Sequence, residues 1–373
     1  MRPGTTPAGG TLEVRQWLPE YRATAALFDS CSLVIISEAL AMLMEKTPSE
    51  LAAQLWMLGT AAYPMYLVRG CREGAVIEGG ISALGPLLKE QLNDLGVGPQ
   101  YVRQAVITHA HPDHVMAIPA LREMFPGLSV LASGAAAATL TSEKAIGFFR
   151  QIDSVLTEVL RKSGAIAEAR GATGGLPARV SCNAGCQAAS GAPAAAPGPP
   201  AAAEDRIAVD RVVGEGDVIA VDELSWTVLA TPGHSDCSIS LHEASRGLLA
   251  ISDASGYYLP ASNTWWPNYF SGYAAYVGSL ERLAALDAEV LCLSHNGAVL
   301  GRDDVRAYFA GTISSTRQYH ERIVAQAKAG KPVRQLAEEL GAEIYRQAPL
   351  LPLDFFQKNC GLLVKQSLKH AGL

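Results

Sequence analysis

The sequence predicts a layered α/β fold, and three observations carry that prediction. Short apolar runs of strand length fall in two batches, at 55–132 and 218–294; helical patterns accompany both batches; and most strands of the second batch end at turns carrying His or Asp. With 373 residues, 49% of them hydrophobic and 18% charged, the chain has ample material for a large core.

Residues 1–47 carry no strand pattern and are expected to be an appended N-terminal extension, with Met44 as an alternative start. A core domain is expected over 48–309 and a helical extension over 310–373. Sheet signals begin with Leu55 to Leu58, Met65 to Arg69 and Ala75 to Glu78, the last closed by Gly79 and Gly80. Leu84, Leu87, Leu88, Leu92 and Leu95 then mark one helix face, with Gly96 as its C-terminal cap. Gln104 to Thr108 reads as a strand buried on both faces, followed by a helix from Val115 to Phe125 and a strand from Ser129 to Ala132.

A long helix comes next, its apolar face made by Ile146, Phe149, Ile152, Val155, Leu156 and Val159, with Lys144, Arg150, Asp153, Glu158 and Arg161 around the rest. Every residue from Ala188 to Ala203 is Ala, Ser, Gly or Pro, so 183–204 is expected to be a low-complexity insertion with too little apolar surface to offset the entropy of ordering. Strand signals resume at Val218 to Val221, Trp226 to Ala230, Ser238 to Leu241, Leu248 to Ser252 and Val290 to Ser294, with a helix from Tyr273 to Leu286 before the last. Helices are expected at Asp303 to Lys328, Pro332 to Tyr345 and Phe356 to His370.

Thirty basic against thirty-six acidic side chains leave a net charge of −6, which disfavours a nucleic-acid partner. Seven scattered cysteines do not form a disulfide framework and suit a reducing compartment. The apolar run from Cys31 to Leu43 is interrupted by Glu38 and is shorter than the roughly 20 residues a membrane helix needs. Glu13, Glu20 and Asp29 precede it, where a signal peptide would be basic. The expectation is a cytoplasmic protein with no membrane partner, its self-association as a homodimer left open.

The stretch His109-Ala110-His111-Pro112-Asp113-His114 carries the chemistry. Four potential ligands fall within six residues directly after an apolar strand, where His109 and His111 project to one side at period two. Packing alone has no use for so many polar side chains at a strand end, whereas a metal site does. Downstream, His234, Asp253 and His295 each follow an apolar run. Taken singly, His234 and His295 would serve as turn residues and Asp253 as a helix cap.

Together these pieces resemble the metallo-β-lactamase superfamily. Thr108 to His114 is similar to its metal-binding signature, Thr231-Pro232-Gly233-His234-Ser235 to its second metal motif, Ser252-Asp253 to its bridging aspartate and Ser294-His295 to its final histidine. The resemblance covers about residues 55–309. It implies a four-layer αβ/βα sandwich, with one metal on His109, His111 and His234, a second on Asp113, His114 and His295, and Asp253 bridging. Two divalent ions are implied, zinc foremost, with iron and manganese as alternatives, because imidazole and carboxylate donors suit all three. A water shared by two such ions ionises near neutral pH, its pKa falling from roughly 15.7 to about 7 with zinc.

Two departures from the family pattern stand out. Glu78-Gly79-Gly80 replaces the common Asp-Thr-Gly, and Glu78 is expected to brace the same histidine with one more methylene. Asp236-Cys237 replaces the common Pro-Gly, yet Cys237 is assigned no metal role because His234 fills the ligand position. Cys182 and Cys186 lack a second pair for a zinc site. His242, His320 and His370 have no supporting context. Tyr257, Tyr258, Trp265 and Trp266 lie in an aromatic stretch ending at Phe270 that reads as a loop and offers an apolar substrate wall.

The resemblance implies an intracellular hydrolase that acts on a small-molecule acyl substrate. A thioester of coenzyme A or glutathione type is favoured, with metal-held hydroxide attacking the carbonyl carbon and Asp113 orienting it. Lactones and other carboxylic esters come next. A mononuclear-iron persulfide dioxygenase and a nuclease or phosphodiesterase remain as further alternatives, the former weakened by the complete second ligand set and the latter by the acidic balance.

Overall fold

Short Leu-, Val- and Ile-rich runs pair into two sheets of seven strands in the computed structural model, which describes residues 42–166 and 206–373. The insertion expected at 183–204, with Cys182 and Cys186, lies outside the described residues, as does nearly all of the segment before Leu43. In chain order the strands are β1 (Leu43–Met44), β2 (Ser49–Ala52), β3 (Leu55–Gly59), β4 (Pro64–Arg69), β5 (Gly74–Ile77), β6 (Val102–Val106), β7 (Ser129–Ser133), β8 (Arg211–Val213), β9 (Val218–Val221), β10 (Leu224–Ala230), β11 (Ile239–Glu243), β12 (Leu248–Ser252), β13 (Tyr257–Leu259), β14 (Thr264–Trp266), β15 (Val290–Leu293) and β16 (Ala298–Leu300). The helices are α1 (Gly85–Asp94), α2 (Ile118–Met124), α3 (Gly134–Leu140), α4 (Glu143–Ser163), α5 (Tyr273–Ala284), α6 (Arg302–Lys328), α7 (Val333–Gln347) and α8 (Leu353–Ala371).

One sheet runs β2-β3-β4-β5-β6-β7-β8 and the other β1-β16-β15-β12-β11-β10-β9, while β13 and β14 make a separate hairpin. Leu55, Met57, Tyr66 and Ile77 of the first sheet meet Trp226, Val228, Leu241 and Ala250 of the second in a buried core between them. The outer face of the first sheet carries α1–α4, and that of the second carries α5–α8, each over its own apolar cluster. The result is the expected four-layer sandwich, αβ/βα, with the C-terminal helices as part of its outer layer. Among the described residues no helix is long and apolar enough to cross a membrane.

Several expectations need correction. The segment 1–47 does contain a strand: β1 pairs Leu43 with Val299 and Met44 with Ala298. Two residues carry no period, so only their partner in β16 makes them a strand. The same applies to β8, and β2 is an edge strand of mixed polarity with a bulge against β3. The long helix is α4, capped by the Ser142 hydroxyl, and the short α3 before it was not anticipated. On α4, Val155 is exposed, whereas Asp153 is buried and accepts hydrogen bonds from the backbone N–H and hydroxyl of Ser82. α6 runs unbroken through residue 309, the expected domain boundary.

Candidate metal centre

Each candidate ligand stands beyond the C-terminal end of a strand, on one edge of the sandwich. Parallel pairing of β5 with β6 and of β12 with β15 aligns those ends. Ile239 N–H donates to the Thr108 carbonyl at 2.9 Å, which stitches the two sheets together beside His109. The Pro112–His114 segment forms a single 3-10 turn, so Asp113 and His114 are presented on a tight, proline-started bend.

Three backbone positions aim the neighbouring strand ends. Glu78 and Ser252 are non-glycine residues in the left-handed region, with φ of 79° and 49°, at the ends of β5 and β12. Gly233 has a φ of 129°, and a Cβ there would lie 2.3 Å from Cα of Tyr276. Only glycine lets the chain pass α5 this closely and turn His234 inward.

Two ligand sets converge. In the first, Nδ1 of His111 is 3.0 Å from Nε2 of His109 and 2.9 Å from Nε2 of His234, while Oδ2 of Asp253 is 3.4 Å from Nε2 of His234. In the second, Oδ2 of Asp113 is 3.5 Å from Nε2 of His114 and 3.4 Å from Nε2 of His295. The other Asp253 oxygen, Oδ1, lies 3.4 Å from Nε2 of His295, so this carboxylate faces both sets. Donors of a tetrahedral ion bound at about 2.0–2.1 Å stand roughly 3.3 Å apart, close to these spacings.

The remaining imidazole nitrogens are tied down. His114 Nδ1 is 2.8 Å from Glu78 Oε2, His234 Nδ1 is 3.1 Å from the Asn268 carbonyl and His295 Nδ1 is 2.9 Å from the Ala62 carbonyl. Such partners fix the ring and leave Nε2 free as a donor to a cation. Nε2 of His114 is a buried nitrogen with no hydrogen-bond partner among the described residues. Glu78 also accepts from the Thr108 hydroxyl, at 3.0 Å, so its carboxylate braces two residues of the signature.

Burial, reinforced by its histidine neighbours, holds His109 well below the usual imidazole range, and burial with His234 pushes His111 down to about 3. Burial also favours the neutral form of Asp113, but His114 and His295 outweigh it and hold the carboxyl below its ordinary range. Asp253 is likewise kept low against burial by His114, His234 and His295. His114 is lifted well above the imidazole range because Asp113, Glu78 and Asp253 outweigh its burial. Mostly neutral imidazoles facing ionised, buried carboxylates form a donor set that cations would compensate.

Beside the ligands lies a cavity of about 290 Å³. Tyr257 and Trp266 line it, as the aromatic stretch suggested, and Tyr257 packs on His295 with ring centroids 5.0 Å apart. Tyr258 and Trp265 do not line it. The stretch is a hairpin rather than a loop, β13 pairing with β14, and strand alternation turns Tyr258 and Trp265 into the core against Tyr308 of α6. Phe270, at the end of that stretch, has its ring 5.2 Å from the His234 ring, whereas Tyr63, 5.3 Å from the His295 ring, was missed by sequence reasoning. Nor did it bring α4 into one wall with α7 and α8, since apolar periodicity marks a buried face but not what that face meets. Cys237 accepts from the Ala110 N–H at 3.4 Å and belongs to neither ligand set, nor do His242, His320 and His370.

Residues 59–295 match the profile of the metallo-beta-lactamase superfamily. Among solved structures, a metallo-beta-lactamase family protein from Thermus thermophilus is similar over 87% of this chain and 95% of its own, with 19% identity and a TM-score of 0.55. A subclass B3 metallo-beta-lactamase of Bradyrhizobium japonicum is 16% identical, covering 80% of this chain and 100% of its own with a TM-score of 0.47. An archaeal superfamily protein from Sulfolobus tokodaii is 18% identical, covering 67% and 80% with a TM-score of 0.44.

Proposed function

Because the chain belongs to the metallo-β-lactamase superfamily, we propose that it is a dinuclear metal-dependent hydrolase that cleaves thioesters, with zinc as the ion that best fits its donors. The observation that carries this reading is the lining of the cavity beside the ligands. It is apolar for most of its extent, its polar groups other than Asn359 of α8 lie at the ligand end, and neither Lys nor Arg lines it among the described residues. A phosphodiester would want such a cation for its charge, whereas the carbonyl of an acyl compound does not.

His109, His111 and His234 would hold one ion, Asp113, His114 and His295 the other, and Asp253 would bridge. When bound, the pair supplies a water ionised near neutral pH and Lewis-acid stabilisation of charge on the substrate oxygen. The side chains do the rest. Asp113, held ionised, accepts a hydrogen bond from the attacking water and sets its direction. Burial pushes the Tyr257 hydroxyl up to about 12, so it stays protonated at neutral pH and would donate to the carbonyl oxygen as charge develops there. Addition of water forms the new C–O bond and the C–S bond breaks; one proton of the water leaves on the thiol and the other passes to solvent as the acid ionises to carboxylate.

The second ligand set also weighs against a mononuclear-iron dioxygenase reading, because Asp113, His114 and His295 would then have no ion to hold. The test is a panel of thioesters, lactones and phosphodiesters assayed on metal-loaded protein. Thioesters should give the highest kcat/KM. Faster turnover of every lactone, or of bis-p-nitrophenyl phosphate, would overturn the assignment.

A further inference from the structure

The cavity has two chemically distinct ends. At one, His111, Asp113, His234, Asp253 and His295 meet Tyr257; at the other, the walls are side chains of α4, α7 and α8, all apolar but Asn359. Phe149 and Leu156 of α4 stand on one side, and Ile344 of α7 and Phe356 of α8 on the other, all of them buried. We propose that this apolar end is a subsite for a fatty-acyl chain, gripped between α4 and the α7–α8 turn, and that the thiol portion of the substrate stays outside it.

The proposal rests on the thioester reading for the reacting bond and on separate observations for the chain. Ligand pockets run about 300–1,000 Å³, so a cavity of about 290 Å³ suits a slender chain and not a nucleotide-bearing thiol. Among the described residues no Lys or Arg lines it to meet the phosphates of coenzyme A or the carboxylates of glutathione. At its rim Phe148 is 52% and Leu362 is 40% exposed, an apolar lip of the kind that guides a greasy tail inward.

Both walls are anchored. Asp153, one helical turn from Phe149, accepts from the Ser82 N–H at 2.8 Å and from its hydroxyl, which pins α4 to the segment following β5 and Glu78. On the other wall α7 and α8 meet so closely at Gly341 that a Cβ there would lie 2.6 Å from the Gln357 backbone. Leu351, in the turn between them, packs against both the α1–α4 cluster and the α5–α8 cluster and so spans the gap above the cavity. Rigid opposed walls select for chain length, since each methylene that finds contact adds to binding until the space is filled.

The experiment uses the metal-loaded full chain and saturated thioesters from acetyl to palmitoyl, each presented on coenzyme A and on N-acetylcysteamine. Dodecanoate binding, measured by calorimetry, gives a readout independent of turnover. The expected result is kcat/KM rising about threefold per methylene to a plateau, with the two thiols differing less than about tenfold at any chain length. Leu156→Trp and, from the opposite wall, Ile344→Trp should each move the optimum to shorter chains and weaken dodecanoate at least about tenfold, with thermal melting identifying any variant that fails to fold. A flat chain-length profile with good thioester turnover overturns the subsite and leaves the thioester reading standing. Dodecanoate binding that both Trp variants abolish, in a protein that hydrolyses no thioester, supports the subsite and overturns that reading instead. A strong preference for one thiol overturns the placement of the thiol outside.

Discussion

Oε2 of Glu78 lies 2.8 Å from Nδ1 of His114, and both side chains are buried. The longer acid reaches a metal-site histidine from a strand end whose backbone is left-handed, with Gly79 packed so tightly on the ligand turn that a Cβ there would be 2.4 Å from the His114 carbonyl. This contact fixes which His114 nitrogen is free for a cation. Glu78→Gln, which keeps the shape and removes the charge, should weaken metal retention about 10–100-fold. Competition with a chelator, followed by elemental analysis, reads this out; unchanged retention of both ions would show that the charge of Glu78 does not matter.

Two complete donor sets sharing Asp253 lead to an expected content of close to two transition metals per chain. His111→Ala should lose metal and activity together, because Nδ1 of His111 is the atom that both His109 and His234 approach. A stoichiometry fixed at one under metal-replete conditions contradicts the dinuclear reading.

The metal-free chain holds His114 protonated at neutral pH, since neighbouring carboxylates raise it, while His109 and His111 are already neutral. Metal uptake at pH 7 must therefore displace a proton from His114, and affinity should rise with pH and fall on acidification. Calorimetry in buffers of different ionisation enthalpy measures the protons released. Release of none, or affinity that falls as pH rises, would contradict this sign.

Tyr66 of β4 donates its buried hydroxyl to the Leu293 carbonyl and lies 3.0 Å from that of Gly297, linking the first sheet to the loop that bears His295. Tyr66→Phe strands those carbonyls and should cost about 2 kcal/mol, lowering Tm by about 2–4 °C in a chain of this length. Thermal unfolding of the metal-free protein measures the structural effect separately from metal binding.

Adjacent tryptophans should behave differently. Trp265 fills a core site so close to α6 that a Cβ on Gly311 would lie 2.3 Å from its ring, so Trp265→Ala should cost about 3–5 kcal/mol of stability. Trp266 faces the cavity and packs on Phe356 at 5.5 Å between ring centroids. Trp266→Ala should alter KM for long-chain substrates more than for short ones. Melting curves and a chain-length series on the two variants separate these roles.

The candidate ligands and their strands were legible in the chain itself. His109, His111, Asp113 and His114 crowd into six residues after an apolar run, and His234, Asp253 and His295 recur at later strand ends, because sheets with aligned C-terminal ends bring together side chains placed just past those ends. The alternation of strands with amphipathic helices likewise announced the layers, since each apolar face must be covered. Tertiary structure alone decided what depends on residues far apart in sequence. Leu43–Met44 becomes a strand only against β16, and Asp153 is buried only because Ser82 receives it. The hairpin's pleat sends Tyr258 and Trp265 inward and leaves Tyr257 and Trp266 beside the cavity, a choice that composition cannot make. The apolar wall joins α4 to helices from the far end of the chain. Periodicity tells a helix which face to hide, but only the packed chain determines what that face meets.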